Sequence, residues 1–257
     1  MTCTIVVPCY NEAVRLDTDS FGRYLENSSD TCFVLVNDGS TDRTIDVLTK
    51  LQSAFPDRID VLDRKKNAGK GEAVRAGMLH ALQGSSDFVG FWDADLATPL
   101  DAIADLLQPL TANPRIQMVF GARVKLMGRD IERKPSRHYL GRVFATTVSM
   151  LLRLPIYDTQ CGAKMFRANE ETRSLFAGPF HSRWIFDVEI LARFIQGRRG
   201  DVQSVRQSIY EFPLMEWRDV GGSKVRPKDF LRHHIELGGL VHRLHGVLAE
   251  QLVGPGN

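Results

Sequence analysis

Residues Phe88-Val-Gly-Phe-Trp-Asp-Ala-Asp-Leu-Ala-Thr-Pro99 run from an apolar segment straight into two carboxylates one residue apart. Phe88–Trp92 shows no polar–apolar alternation, which predicts a strand buried on both faces, the pattern of a parallel sheet. Such a strand ending on Asp93-Ala94-Asp95 delivers acidic oxygens to the carboxyl edge of the sheet, where open α/β folds bind their ligands. Two hard oxygen donors there suit Mg2+ or Mn2+, leaving other coordination positions to phosphate oxygens and water. A bare Asp-x-Asp more often marks a solvated turn, so the surrounding sequence has to decide.

Working outward, Thr4–Pro8 and Cys32–Asn37 are two more short β-branched runs, closed by a proline and by Asp38-Gly39. Helical periodicity follows each strand. One helix is expected from Ser40 through Ile45, Leu48 and Leu51, capped by Ser40 or Thr41. Another is expected over Gly69–Gln83, with Ala73, Ala76, Met78 and Leu82 turned inward, and a third over 100–110 behind Pro99. Further strands are expected at Ile59–Leu62 and 118–122. This alternation across the first 120 residues predicts βαβ units and a Rossmann-like sheet. The pattern then changes. His138–Leu154 reads as a helix, Lys164–Arg167 and Ser208–Leu214 as strands around a helix at Asp187–Gln196, and Pro227–Leu252 as a closing amphipathic helix. No linker divides the chain, so 1–122 and 123–257 are expected to be two halves of one domain.

The 257 residues carry a net charge of +2 and are 43% hydrophobic, which suits a globular domain with a full core and excludes a bulk nucleic-acid binder. Charge is uneven, however. Between Arg123 and Arg142, seven cationic residues (Arg123, Lys125, Arg129, Arg133, Lys134, Arg137 and Arg142) face only Asp130 and Glu132, a segment suited to an anionic partner or to a solvated face. Four scattered cysteines without a Cys-x-x-Cys pair predict reduced thiols. No charged-then-apolar leader precedes the first strand, and no apolar run reaches the ~18 residues of a membrane span. The chain is therefore expected to be cytoplasmic, at most peripheral on the cytoplasmic face of a membrane.

Each strand end carries polar residues. Pro8-Cys-Tyr-Asn-Glu12 offers an aromatic ring to stack on a base and a carboxylate for ribose hydroxyls or a base N–H; a plain polar turn is the alternative. Asn37-Asp-Gly-Ser-Thr-Asp42 places Asp38 to accept from a base N–H. Asn67-Ala-Gly-Lys-Gly71 is a glycine-bearing loop opening a helix, a geometry that favours anions, yet its spacing is not that of a Walker A loop. Lys70 therefore reads as a helix-start residue or as one acting behind the ligand. The four histidines His233, His234, His242 and His245 lack a carboxylate or cysteine partner pattern and do not read as a metal site.

Those four pieces, in order, resemble the family 2 glycosyltransferases of the GT-A fold, in the branch of dolichyl-phosphate mannose synthase and dolichyl-phosphate glucosyltransferase. The likeness runs from Thr4 to Lys224 and includes Gly121-Ala-Arg123, Arg133-Lys-Pro-Ser-Arg137, Asp158-Thr-Gln-Cys-Gly-Ala-Lys164 and Trp217-Arg-Asp-Val-Gly-Gly-Ser-Lys224. The Asp-Thr-Gln-Cys-Gly stretch is closer to glucosyl-transferring members than to mannosyl ones. The resemblance implies a GT-A Rossmann-like, mostly parallel sheet with a C-terminal acceptor-side extension. It also implies a nucleotide-sugar donor, a divalent cation, and inversion at the anomeric carbon. The expected reaction moves a hexose, glucose from UDP-glucose, to polyprenyl or dolichyl phosphate.

Carried over by position, Pro8, Tyr10, Glu12, Val36 and Asp38 would form the nucleoside pocket, with Lys70, Trp92 and Ala94 also on the donor side. Asp93 would face ribose or metal, and Asp95 metal and pyrophosphate. Arg123 would meet the sugar phosphate or the acceptor phosphate. Arg218 and Lys224 would close over the pyrophosphate from a loop hinged at Gly221-Gly222. Arg133, Ser136 and Arg137 would take the acceptor phosphate, and the following helix would present Leu140, Val143, Phe144, Leu151 and Leu152 to a membrane surface. Asp158 would lie near the reacting sugar. Mannose synthases often carry glutamine two residues after the second aspartate, where this chain has Ala97, so one metal ligand would be missing or replaced by water. A lipid phosphate is mostly dianionic, its second pKa being about 6, and needs no strong base. A soluble hydroxyl acceptor, the alternative, would need one, and Asp158 is the candidate. A non-catalytic nucleotide-sugar-binding module is the reading from another class.

Overall fold

The computed structural model describes residues 1–132, 135–182 and 185–220, with backbone alone at 135–138 and 140. Along the chain run β1 (Cys3–Cys9), α1 (Thr18–Asn27), β2 (Thr31–Asp38), α2 (Thr44–Ala54), β3 (Ile59–Arg64), α3 (Lys70–Ala81), β4 (Phe88–Trp92), α4 (Ala102–Ala112) and β5 (Met118–Ala122). Then follow β6 (Asp130–Glu132), α5 (Pro135–Leu152), β7 (Ala163–Arg167), α6 (Glu170–Ala177), α7 (Phe186–Gly197), α8 (Val202–Ser208), β8 (Ile209–Pro213) and β9 (Glu216–Arg218).

Seven strands form one sheet in the order β3-β2-β1-β4-β7-β5-β8, and β6 pairs with β9 separately. All neighbours in the large sheet are parallel except β7, which runs antiparallel between β4 and β5. The period of two explains why the strands read as continuous apolar runs. Val6, Val34, Val36, Val89, Phe91, Phe120 and Phe166 face one layer, packed with residues of α3, α5, α6 and α7. Ile5, Val7, Phe33, Leu35, Phe88, Trp92, Val119 and Met165 face the other, packed with α1, α2 and α4. β7 and β8, from beyond residue 122, complete the same sheet.

Several expectations need correcting. α2 begins at Thr44, and neither Ser40 nor Thr41 caps it; Asp42 Oδ1 instead accepts from Thr44 N at 3.0 Å. Ser40 and Thr41 are spent on the preceding loop, as described below. In α3, Val74 and Gly77 are buried while Ala76 is only partly so. α5 buries Phe144, Ala145, Val148 and Leu152, so Phe144 and Leu152 are core residues and cannot face a membrane. Among its described side chains the exposed apolar ones are Tyr139, Val143 and Met150, and the side chain of Leu140 lies outside the described residues. None of the four cysteines forms a disulfide. Among the described residues no helix is long and apolar enough to cross a membrane. The helix expected at Pro227–Leu252 lies outside the described residues.

Candidate active site

Parallel strands β1, β2, β4 and β5 all end at one edge of the sheet, and antiparallel β7 begins there, with Trp92 opposite Ala163. That register brings the segment Asp158–Gly162 against the end of β4. The approach is so close that a Cβ on Gly162 would lie 1.9 Å from Asp93 Oδ2, so only glycine lets the chain pass the carboxylate.

The first two loops are tied together. Asn11 N donates to Ser40 Oγ at 3.0 Å, Thr41 N to Asn11 Oδ1 at 2.8 Å, and Glu12 N to Thr44 Oγ1 at 2.8 Å. These bonds explain why Ser40 and Thr41 are unavailable as caps. Asp38 joins the third loop to the second. It is 2% exposed, and its oxygens accept from Arg64 Nη1 at 2.8 Å, Gly69 N at 2.8 Å and Ala68 N at 3.2 Å. Gly39, at φ +61°, passes so near Asn67 that a Cβ would sit 2.4 Å from its nitrogen. Asp38 thus holds the glycine-bearing loop in place, with both oxygens engaged, rather than standing open to a base. Pro8 and Tyr10 are half-buried at this edge and Glu12 is buried. Val36 and Trp92 correct the expected donor pocket. Val36 is fully buried towards α3, and Trp92 is fully buried with Nε1 donating to Thr98 O at 2.8 Å, so neither side chain reaches the edge.

At the end of β4 negative charge accumulates. Burial, then the neighbouring charge of Asp93, pushes the Asp95 carboxyl above the usual range, although Ala97 N donates to its Oδ1 at 3.2 Å. Lys70, the first residue of α3, places its ammonium on Asp93 Oδ1. Burial alone would depress this lysine, but Asp93 and Asp187 outweigh it and hold it charged. A pair of adjacent carboxylates, strained by mutual repulsion and already drawing a lysine cation, fits a divalent ion that also takes oxygens from a diphosphate. Among the described residues no three His, Cys, Asp or Glu side chains converge as a metal cage, so such an ion would depend on ligands brought by the donor or by water.

Behind this pair lies a buried ion pair that the sequence reading missed. Lys164 of β7 is 1% exposed, meets Asp187 Oδ1 at 2.7 Å, and donates to Thr159 O at 3.0 Å and Cys161 O at 2.6 Å. Burial pushes Asp187 upwards, with Lys164 as the main opposing influence. The available signal was a pair of acids, Asp187 and Glu189, inside the otherwise apolar start of α7. Lys164 stood in the quoted motif, but its role depends on a partner 23 residues away in sequence.

Arg123, just past β5, is clamped by Asp158. Its Nε meets Oδ2 at 2.6 Å and its Nη2 meets Oδ1 at 2.7 Å, while its backbone N also donates to Oδ2 at 3.2 Å. Its guanidinium lies 5.2 Å from the ring centre of Trp217. Asp158 is positioned in turn by Glu211 of β8, whose carboxylate accepts from the backbone N–H groups of Tyr157 and Asp158 at 2.9 Å. Burial pushes Glu211 upwards despite those bonds. β9 brings the last piece: Arg218 N donates to Ala97 O at 3.0 Å, while its exposed guanidinium pairs with Asp130 and Glu216, each at 3.2 Å. The structure therefore gathers Tyr10, Glu12, Lys70, Asp93, Ala94, Asp95, Arg123, Asp158 and Arg218 at one sheet edge. All of Arg133, Lys224 and Gly221-Gly222, and the side chains of Ser136 and Arg137, lie outside the described residues.

The family model described as glycosyl transferase family 2 matches residues 4–171. The chain belongs to that family. A dolichyl-phosphate beta-glucosyltransferase of Trichomonas vaginalis is 34% identical over 246 residues, covering 91% of this chain and 69% of the relative. The Homo sapiens dolichyl-phosphate beta-glucosyltransferase is 32% identical over 244 residues, covering 87% of this chain and 69% of its own. Among solved structures, glucosyl-3-phosphoglycerate synthase from Mycobacterium tuberculosis in complex with Mn2+ and UDP-glucose matches with a TM-score of 0.61 at 21% identity, over 100% of this chain and 80% of that one. That likeness establishes a shared fold, the GT-A-like sheet with its helical layers. The protein is a glycosyltransferase.

Proposed function

We propose that the protein is a metal-dependent, inverting hexosyltransferase that moves glucose from UDP-glucose to polyprenyl or dolichyl phosphate. The observation that carries this reading is the state of Asp158. The carboxylate offered by the sequence as general base is committed through both oxygens to Arg123. A hydroxyl acceptor needs a group to take its proton, whereas a phosphate monoester arrives as an oxyanion and needs only cations to steer it. Arg123, fixed in direction by Asp158, is such a cation. The names of the relatives favour glucose and a dolichyl-phosphate acceptor.

In this reading Tyr10 and Glu12 receive the nucleoside, and Asp38 acts by shaping the loop that carries Lys70. Asp93 and Asp95 would hold Mg2+ or Mn2+, which supplies neutralisation of the departing diphosphate when bound. In this reading Arg218, whose backbone N donates to Ala97 O, would turn its exposed guanidinium from Asp130 and Glu216 to the same diphosphate. Arg133, Ser136 and Arg137 remain candidates for the acceptor phosphate on sequence grounds. The test is transfer from UDP-glucose, GDP-mannose and dTDP-glucose, each with Mn2+, to a short-chain polyprenyl phosphate and to soluble alcohols. Label should pass from UDP-glucose to the polyprenyl phosphate and become chloroform-soluble. Transfer to a soluble alcohol with the lipid phosphate inert would overturn the acceptor, and preference for GDP-mannose would overturn the donor.

A further inference from the structure

Lys70 sits where two helix starts meet. It opens α3, and the next residue, Gly71, packs so tightly on Phe186 that a Cβ there would lie 3.1 Å from Phe186 Cβ. Phe186 opens α7 and precedes Asp187, so the start of α3 adjoins a second, buried carboxylate besides Asp93. Asp187 cannot leave, because Lys164 holds it at 2.7 Å and is itself fixed by two carbonyl oxygens. Lys70, in contrast, keeps 31% of its side chain exposed and Asp93 keeps 33%. Its contact with Asp93 is thus the exchangeable one in the group. A lysine at a helix start also opposes the helix dipole, which favours anions there. Only the carboxylates justify its position.

Lys70 contacts Asp93 and Lys164 contacts Asp187, while Asp95 is reached at longer range by Lys70 and Arg15. A divalent ion added on Asp93 and Asp95 with Lys70 unmoved would place like charges in contact. We propose that Lys70 is a built-in occupant of the cation position: its ammonium holds Asp93 in the donor-free protein and withdraws towards Asp187 when a divalent ion takes its place. The inference rests on the metal reading above and adds that metal and lysine compete for one carboxylate. The tethered cation keeps the acidic pair from being left unmatched between turnovers. It also weakens metal binding until a diphosphate supplies further ligands, so metal and donor bind together.

The test is Mn2+ binding alone, followed by the electron paramagnetic resonance signal of free Mn2+, on the full chain and on Lys70→Met, Lys70→Arg, Asp95→Asn and Lys70→Met/Asp95→Asn. Removing the competitor should tighten Mn2+ by about five- to thirtyfold in Lys70→Met, as expected for losing one partly exposed charge contact and its repulsion of the ion. Lys70→Arg keeps the charge and should stay within about twofold of the parent. The double variant should lose the tightened site. A merely structural Lys70 would leave Mn2+ affinity unchanged or weaken it in Lys70→Met, and either result overturns the exchange. So does tight binding that survives in the double variant, because the ion would then lie elsewhere. If parent and Lys70→Met both fail to bind Mn2+, the metal reading falls with the exchange; if the parent binds and Lys70→Met binds no tighter, the exchange alone falls.

Discussion

Asp158→Asn separates two jobs that one carboxylate can do. The Arg123–Asp158 pair is nearly closed to solvent, with 12% and 7% of the two side chains exposed. Breaking such a pair from one side leaves a charge buried without its partner, which costs about 3–5 kcal/mol. Part of that is returned, because Asp158 also pushes Glu211 upwards, and a neutral neighbour relaxes it. A net loss near the lower end, about 3 kcal/mol, is expected, and at about 2–4 °C per kcal/mol for a chain of this size Tm should fall by about 6–12 °C. The assay is thermal and urea unfolding of Asp158→Asn, Arg123→Met and the double variant at pH 7. The double variant should lose less than the sum of the singles, with a coupling of about 2 kcal/mol, within the range seen for contacting residues. A free general base would behave otherwise, losing turnover and the acid limb of the pH–rate profile with little change in Tm. A Tm within about 2 °C of the parent, or strictly additive losses, would refute the clamp and restore Asp158 as a base.

Three further outcomes are expected. Asp95→Asn should abolish Mn2+-induced stabilisation and lower turnover by about a hundredfold or more, the scale of losing one electrostatic contact to a developing charge, while the melting curve without metal is preserved or improved. Glu211 is raised in the folded protein, so its contribution is fully present below the ordinary glutamate pKa of about 4.3 and is lost as pH rises through the higher folded value. Tm followed from pH 4 to 7 should therefore fall more, or rise less, in the parent than in Glu211→Gln. On α5, Tyr139, Val143 and Met150 are 71%, 59% and 70% exposed; Val143→Glu/Met150→Glu should cut co-sedimentation with anionic vesicles about tenfold, about 1.4 kcal/mol, with Tm unchanged because exposed positions carry little stability. Unchanged sedimentation would remove that face from any membrane contact.

The sheet was legible because burial on both faces leaves a compositional trace. Ile5–Pro8, Phe33–Val36 and Phe88–Trp92 run without polar–apolar alternation, and a polar turn follows each. What went unread was of different kinds. α1 was readable, with Phe21, Tyr24 and Leu25 at helical spacing behind the capping Asp17, and was overlooked, whereas the three-residue strands β6 and β9 are too short to carry a period and depend on each other across the chain. The face of α5 was misassigned for a different reason. Apolar residues cover most of its circumference, so periodicity alone could not tell the side packed on α7 from the side left open, and Phe144 and Leu152 went to the wrong one. Val36 and Trp92 show the same ambiguity in strands. Each is adjacent to a polar strand end, and only the pleat decides that its side chain turns into the core.

The candidate site adds a physical reason for that divide. Asp38, Asp93 and Asp95 were recognisable one by one, because Asp93-Ala94-Asp95 and Asn37-Asp38-Gly39 end strands, whereas Asp187, inside α7, was not. Their states were not, since each is set by a cation from another element: Lys70 of α3 on Asp93, Lys164 of β7 on Asp187, Arg123 beyond β5 on Asp158, Arg64 of β3 on Asp38. Antiparallel β7 is what makes this crowding possible. By entering the sheet between β4 and β5 it brings a connecting segment to the carboxyl edge, carrying Asp158 and the glycine that passes Asp93. A purely parallel order would place the amino end of β7 at the opposite edge. Charges there are costly to bury, and Asp38, Asp93, Asp158 and Asp187 are each held by a cation from another element. Those pairs fix the edge before any ligand arrives, and in the proposed reaction Asp93 and Asp95, the two carboxylates that follow β4, are the ones that would take the divalent ion of the donor.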